Sequence, residues 1–327
     1  MSPRARVVAL VGLAAVVAAG AVVGGTLLQT RGERTTVAGA VTKPRPGYPP
    51  LFLEFGVRVD ARARALASAQ QLYNQGKVAK AAAVFRRYHS LEARLASAFA
   101  AWKQTGLAAV KQLADAHPKS ALATLHLGWA DYWAGRNADA LAAWERTAKL
   151  APDSPYGVDA EDAIHPSMPI PGLPPVVTGL GIPKALRKLT APRQLAALAS
   201  EAAAGGEDAK LRYGAALWSL RRPVSAEREF AAAAKLAPHD PLALTVAALG
   251  RFTKANPTRA FAKLGPLTGV FPHSPVVEFH LALALLYIGE TKKAEAHLRS
   301  AIADGPQTVY AKNGRVLLAS LTNNGTK

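Results

Sequence analysis

Glu161, Asp162 and His165 are the strongest candidate metal ligands in the chain. On a short helix their spacings, i+4 and i+3 to the histidine, bring three donor side chains towards one face. The same carboxylates, with Asp159, lie near the start of a helix expected over Val158–Ile164. There the helix dipole favours negative charge without any ion, so no metal and no cofactor is expected. The other histidines offer less. His239 and His273 repeat one another in loops, as turn residues do. Glu278 and His280, like Glu295 and His297, stand two apart and point to different helix faces. The chain has no cysteine, which removes thiolate metal sites, disulfides and thiol nucleophiles together. It carries none of the spacings of a phosphate-binding loop, a dinucleotide fold, a zinc protease or a nucleophile elbow. Gly179-Leu-Gly181 reads as a turn. The pattern is that of a non-catalytic protein.

Recognition chemistry is better represented. Trp129, Tyr132 and Trp133 crowd one stretch of helix, where residues three and four apart share a face and adjacent residues diverge by about 100°. Such a group is hard to bury all at once, and aromatic residues are enriched at interfaces. Trp144 and Phe230 occupy packing positions instead. Lys and Arg number 40 against 22 for Asp and Glu, a formal net charge of +18. This excess raises an alternative function, binding of a polyanion or anionic lipid through a basic repeat surface. Its candidates are the pairs Arg86/Arg87, Arg187/Lys188, Arg221/Arg222 and Lys292/Lys293. Solvated helix faces are the favoured explanation of these pairs, and nucleic acid is not among the expected partners.

The elements that position these residues follow a period. With 327 residues, half of them hydrophobic, the chain is long enough for about two domains or one elongated array. Pro238, Pro272 and Pro306 are 34 residues apart, as are Pro118 and Pro152. In the same frame Gly128, Gly214, Ala248 and Ala282 coincide. So do Ala140, Ala226, Ala260 and Ala294, and then Trp144, Phe230, Leu264 and Leu298. Small residues at two facing positions let antiparallel helices approach, and the large one fills the seam beside them. Gly135 and Gly289 fall at the turn inside the repeat, where a left-handed residue ends the first helix. Ser120, Ser154, Asp240 and Ser274 are N-cap residues, and Pro155, Pro241 and Pro275 follow at the first helical position.

This spacing with its aligned positions resembles the tetratricopeptide repeat (TPR) family. The best matches are 121–154, 207–240 and 275–308, with 241–274 weaker. Residues 62–94 fit through Ala69, Gly76, Ala81 and Phe85. Residues 95–118 read as a shortened repeat with Trp102 on its first helix and Gly106 at its turn. Residues 183–204 read as a degenerate one that ends at Gly205-Gly206. The resemblance implies an all-α superhelix of helix hairpins whose first helices line a concave groove. Carried over residue by residue, that groove holds Leu125, Trp129, Tyr132 and Trp133, then Trp218, Phe252 and Tyr287. It is apolar and aromatic. The lysine and asparagine with which some members clamp a peptide carboxylate have no counterpart here, which disfavours that mode. What the resemblance implies is a scaffold or adaptor that binds a protein or peptide segment.

The expected organisation is two arrays, 60–155 and 193–308, with a Pro-rich segment 156–192 between them, a capping helix 309–321 and a tail 322–327. His165–Pro175 is too apolar for a solvated linker. It is expected to pack on an array, and an aromatic-lined groove is the kind of surface on which polyproline II docks. Ahead of the arrays, a basic tail 1–6 leads into Val7–Gln29, 23 residues without a charge. As a helix this spans roughly 35 Å, enough for a bilayer core. It reads as a single-pass signal anchor, with a cleaved signal peptide as the alternative because Ala19-Gly20-Ala21 resembles a cleavage site. Arg4 and Arg6 before it place the repeats outside the cytoplasm, while Arg31, Arg34, Lys43 and Arg45 after it argue for the cytoplasmic side. Gly20 and Gly24 offer a close-packing face for a homodimer. Residues 30–50 read as a spacer between bilayer and fold.

Overall fold

The computed structural model describes residues 43–324. The expected anchor 7–29, the Gly20/Gly24 pair and the first part of the 30–50 spacer lie outside the described residues, as does the end of the tail. No helix among the described residues is long and apolar enough to cross a membrane. All regular secondary structure among them is helical. The chain divides into two compact units, with the boundary between Ile164 and His165.

The first unit contains three helix hairpins and a closing helix. They are α1 (Ala61–Asn74) with α2 (Val78–Phe85), α3 (Leu91–Ala100) with α4 (Trp102–Ala116), and α5 (Ala121–Trp133) with α6 (Asn137–Leu150), followed by α7 (Pro155–Ile164). Each hairpin's first helix starts on a side-chain cap. Asp60 accepts from the Ala63 N–H, Ser90 from Ala93 and Ser120 from Ala123, each occupying a donor that the helix start leaves open. Gly76 and Gly135, with φ of 77° and 80°, make the left-handed turns inside the first and third hairpins. Gly128 faces the Trp144 indole so closely that a β-carbon there would collide with the ring. The small and large positions of the 34-residue frame therefore meet across the hairpin. The first helices α1, α3 and α5 neighbour one another in series and form the unit's inner face.

The second unit repeats this plan. A 3-10 turn (Lys184–Leu186) and α8 (Ala191–Ala204) precede three hairpins. These are α9 (Glu207–Ser219) with α10 (Pro223–Leu236), α11 (Pro241–Leu249) with α12 (Thr258–Val270), and α13 (Pro275–Tyr287) with α14 (Thr291–Asp304). Helix α15 (Val309–Asn324) closes it and runs three residues past the expected end. Gly214 meets Phe230 as Gly128 meets Trp144. Asp240 caps α11 through the Ala243 N–H, whereas Ser274 makes no side-chain cap bond to α13.

Three expectations need correction. The second hairpin turns at Ala101, not at Gly106. Gly106 lies buried within α4 because the Trp102 ring packs over it, leaving no room for a β-carbon. The segment 156–192 is divided, since α7 belongs to the first unit, closing its last hairpin, and only the part from His165 onward belongs to the second. Where it is described, the spacer 30–50 is not a free tether, as Pro49 is buried and Tyr48 packs on the first unit's core.

Candidate functional site

In the first unit the inner face is occupied by the chain itself. Residues 44–55 form a strap without helix or strand. It enters beside the end of α5, where the Arg45 N–H donates to the Trp133 carbonyl at 2.7 Å. The Arg45 guanidinium donates to the Tyr132 carbonyl and lies over the Tyr132 ring, 3.3 Å from its centroid. Trp133 Nε1 donates to the Pro46 carbonyl at 3.1 Å, and the Tyr73 hydroxyl donates to the Pro49 carbonyl at 2.7 Å. Three consecutive strap amides then meet side chains. Phe52 N–H donates to His126 Nε2 at 3.2 Å, Leu53 N–H to Gln70 Oε1 at 2.9 Å, and Glu54 N–H to the Tyr156 hydroxyl at 3.4 Å. Leu51 and Leu53 are buried in the core, and the Phe52 ring lies 5.7 Å from Trp129.

The second unit holds a second strap, residues 169–180. Lys254 Nζ donates to the Ile170 carbonyl at 2.8 Å, and Trp218 Nε1 to the Pro174 carbonyl at 2.7 Å. Val177 N–H donates to His280 Nε2 at 3.0 Å, and the Tyr310 hydroxyl lies 3.5 Å from the Thr178 carbonyl. Ile170, Leu173, Val176, Val177 and Leu180 pack against the unit's hydrophobic clusters.

The two straps are copies. Pro44, Pro46, Gly47, Pro49, Pro50 and Gly56 recur as Pro169, Pro171, Gly172, Pro174, Pro175 and Gly181, 125 residues later. Gly47 and Gly172 share a left-handed φ of 81° and 79°, which a β-branched side chain resists. Their receptors are copies as well. His126 and His280 hold the same place on α5 and α13, and Tyr156 and Tyr310 are the second residues of the closing helices. Tyr73 and Trp218 both stand at the next-to-last position of their units' first hairpin helices, α1 and α9. Both straps run antiparallel to the helix that carries the histidine. Strap 1 passes from Trp133 back to His126, and strap 2 passes from Gly289, beside Pro169, back to His280.

Each histidine is fixed in one tautomer. His126 Nδ1 sits 2.7 Å from the Leu122 carbonyl and His280 Nδ1 sits 2.8 Å from the Val276 carbonyl. A carbonyl only accepts, so Nδ1 carries the proton and Nε2 is the bare acceptor for the strap amide. Burial disfavours the charged ring and pushes both histidines down to about 4. Burial likewise raises the Tyr73 and Tyr156 hydroxyls, and brings Tyr310 to about 12. All three therefore stay neutral, Tyr73 and Tyr310 donating to strap carbonyls and Tyr156 accepting from the Glu54 amide. What the site can do chemically is hold an extended backbone in an apolar groove, satisfying its N–H and C=O groups mainly from neutral side chains, with Lys254 on the Ile170 carbonyl.

The residues singled out in the sequence are distributed accordingly. Trp129, Tyr132, Trp133 and Trp218 touch a strap directly, while Tyr132 and Trp133 keep part of their surface exposed. Phe252 and Tyr287 form a small cluster on which Ile170 packs, and Leu125 is fully buried in the first unit's core. Among the described residues no group of three histidine or acidic side chains has the geometry to hold a metal ion. Glu278, unpaired with His280 as expected, bonds His297 Nδ1 instead at 2.6 Å. Sequence reasoning missed His126, His280, Gln70, Tyr73, Tyr156 and Tyr310. The duplicated Pro-x-Pro-Gly-x-Pro-Pro pattern is the sequence signal of the straps that these residues hold.

No protein-family model matches the sequence, and no curated protein is similar to it. Several solved structures resemble the chain. One is the C-terminal part of a TPR repeat-containing protein from Cytophaga hutchinsonii, 15% identical over 76% of this chain and 98% of that one, with a TM-score of 0.28. Another is a tetratricopeptide repeat protein from Parabacteroides merdae, 12% identical over 79% and 97%, with a TM-score of 0.32. A chain of the APC/C hetero-tetramer Cut9-Hcn1 is 14% identical over 78% and 56%, with a TM-score of 0.27. Superpositions this loose carry no argument by themselves, and the TPR-like character of the fold rests on the 34-residue period and the hairpins that it builds.

Proposed function

We propose that the protein is a non-catalytic scaffold or adaptor that binds protein segments through its helical grooves and is held at a membrane by residues 7–29. The observation that carries this reading is the strap. Each inner face already holds a polypeptide segment through its main chain, so the surface has the chemistry that binding a protein segment requires. The uncharged stretch Val7–Gln29 supports the tether, which would raise the scaffold's local concentration near membrane complexes. The repeats are placed outside the cytoplasm in this reading, and the Gly20/Gly24 face is its route to a homodimer.

The test is cross-linking in native membranes, with the full-length chain and a Trp133→Ala/Trp218→Ala variant that has been confirmed to fold. A discrete set of protein partners that survives a salt wash and changes in the variant is the expected result. Partners identical in the variant, or stripped from both chains by salt, would replace the groove with the basic surface. Extraction of the chain by alkaline wash would remove the membrane tether from the reading.

A further inference from the structure

We infer that each groove is a site for one class of protein segment supplied in trans, an unstructured stretch carrying Pro-x-Pro-Gly-x-Pro-Pro followed by two apolar residues, with the chain's own strap as the resident copy. This rests on the reading that the grooves bind protein segments, and it names the segment.

The two straps share a backbone pattern. Their side chains differ where they pack on the units' apolar clusters. Tyr48 is replaced by Leu173, Leu51 by Val176 and Phe52 by Val177. The prolines, the left-handed glycine and two main-chain contacts, the histidine to an amide and the ring donor to the first Pro-Pro carbonyl, do not differ. Recognition that survives such exchanges is read from the backbone. The Pro-Pro pair has a physical part in it. Pro49 and Pro50, like Pro174 and Pro175, carry no N–H, so an apolar groove can take them without leaving a donor unsatisfied. The carbonyl of the first is met by Tyr73 or Trp218. The amide three residues after that carbonyl's proline, Phe52 or Val177, is met by a histidine whose other nitrogen is already committed. A receptor built twice for the same backbone pattern is selective for that pattern, not for its position in this chain.

The resident straps also explain how such a site is kept from indiscriminate binding. Strap 1 reaches α1 within a few residues, and a short tether gives an effective concentration of about millimolar. A trans segment displaces the strap only when it is abundant locally, or when the strap is loosened.

The experiment uses the full-length chain and a labelled synthetic peptide of residues 169–182, PIPGLPPVVTGLGI. Two variants open the second groove. Gly172→Val strains the left-handed turn at a place where the added β-carbon meets nothing within 4 Å. The second replaces Pro174, Pro175, Val176 and Val177 with Ser. Fluorescence anisotropy is expected to show saturable peptide binding by both variants, at least roughly tenfold tighter than by the wild type. The peptide should also raise the melting temperature of whichever variant is destabilised, or restore its helical circular dichroism. A peptide N-methylated at Val177 lacks the donor that His280 accepts, and it should bind at least roughly tenfold more weakly. The inference is overturned if native, N-methylated and scrambled peptides bind both variants alike, or not at all. Self-association of the variants that peptide does not compete away also overturns it, since the occupant would then be a second copy. If these arms fail while groove-dependent protein partners persist in native membranes, the scaffold reading stands without this ligand.

Discussion

The first strap meets its unit with aromatic and charged side chains, and the second strap meets its own with aliphatic ones. In the first, Arg45 stacks on Tyr132, Phe52 faces Trp129, and Gln70 adds a bond to Leu53. In the second, Ile170 and Val177 stand where Arg45 and Phe52 do, and the loop between α11 and α12 supplies Lys254 to the Ile170 carbonyl. Against this exchange of side chains, one histidine, one tyrosine and one buried ring donor persist in both units. The difference teaches which contacts define the strap and which merely fill space. One amide and one carbonyl are satisfied in the same places, since a buried unpaired amide or carbonyl costs about 1–3 kcal/mol, whereas apolar volume can be filled in several ways.

The largest expected effect comes from acid. Above pH 6.5 His126 and His280 are neutral whether the chain is folded or unfolded. Below it the unfolded histidines take up protons, while the folded ones refuse them down to about 4. Stability is therefore lost as pH falls from about 6.5 to about 4, by roughly 3 kcal/mol for each histidine at 1.36 kcal/mol per pH unit. The two units should separate here. In the second unit the Glu207 carboxyl is pushed up to about 7 by burial and by Asp240 beside it. It gains a proton in the folded state over the same window, which opposes the loss. Hydrogen exchange followed from pH 7 to pH 4 should show protection falling more steeply at Phe52 than at Val177. His126→Gln keeps an acceptor that cannot titrate, and it should flatten the first slope. Equal slopes in both units, unchanged by the substitution, would remove the histidines from the account.

Much of the fold was legible because its determinants are local and periodic. Pro238, Pro272 and Pro306 mark boundaries, Gly128 and Gly214 mark close approaches, and each requirement recurs every 34 residues. The second hairpin escaped because Trp102 and Gly106 satisfy one another inside a single helix, mimicking a repeat's large residue and turn. The aromatic groove was legible in Trp129, Tyr132, Trp133 and Trp218, but its occupant in the first unit was not. Residues 44–50 read as a spacer by composition, and nothing local to Phe52 reveals that its amide will meet a histidine 74 positions away. Neighbours in sequence say little of the histidines, since Glu278 and His280 diverge, while the bond that matters to each histidine comes from a distant strap.

A smaller effect tests the carbonyl contact. Tyr73→Phe removes the hydroxyl that meets the Pro49 carbonyl in a buried setting, and is expected to cost about 1–3 kcal/mol. Trp218→Phe removes the corresponding donor to Pro174. It should cost more, because the smaller ring also leaves a gap. Amide exchange at Phe52 for the first variant and at Val177 for the second reads the loss at the strap itself. A Trp218 effect below that of Tyr73 would mean that the second unit closes around the gap, and that its aliphatic packing is the more adaptable.

The smallest effect bears most directly on what the straps have in common. Arg45 is the most elaborate contact of the first strap, bonded to one carbonyl through its side chain, to another through its amide, and stacked on Tyr132. Its equivalent in the second strap is Ile170, which has no charge to offer. If the backbone defines the strap, Arg45→Ala should cost only about 0.5–1 kcal/mol, the worth of a cation–π contact near the surface, because the amide bond to Trp133 is kept. Arg45→Ile should cost less still, since an aliphatic side chain can cover the Tyr132 ring as Ile170 covers the Phe252–Tyr287 cluster. The reading is exchange at the Phe52 amide, seven residues along the strap, for both variants. A loss of several kcal/mol in either would make Arg45 the anchor of the first strap. It would also mean that the two grooves, alike in the backbone that they accept, select their segments by different first residues.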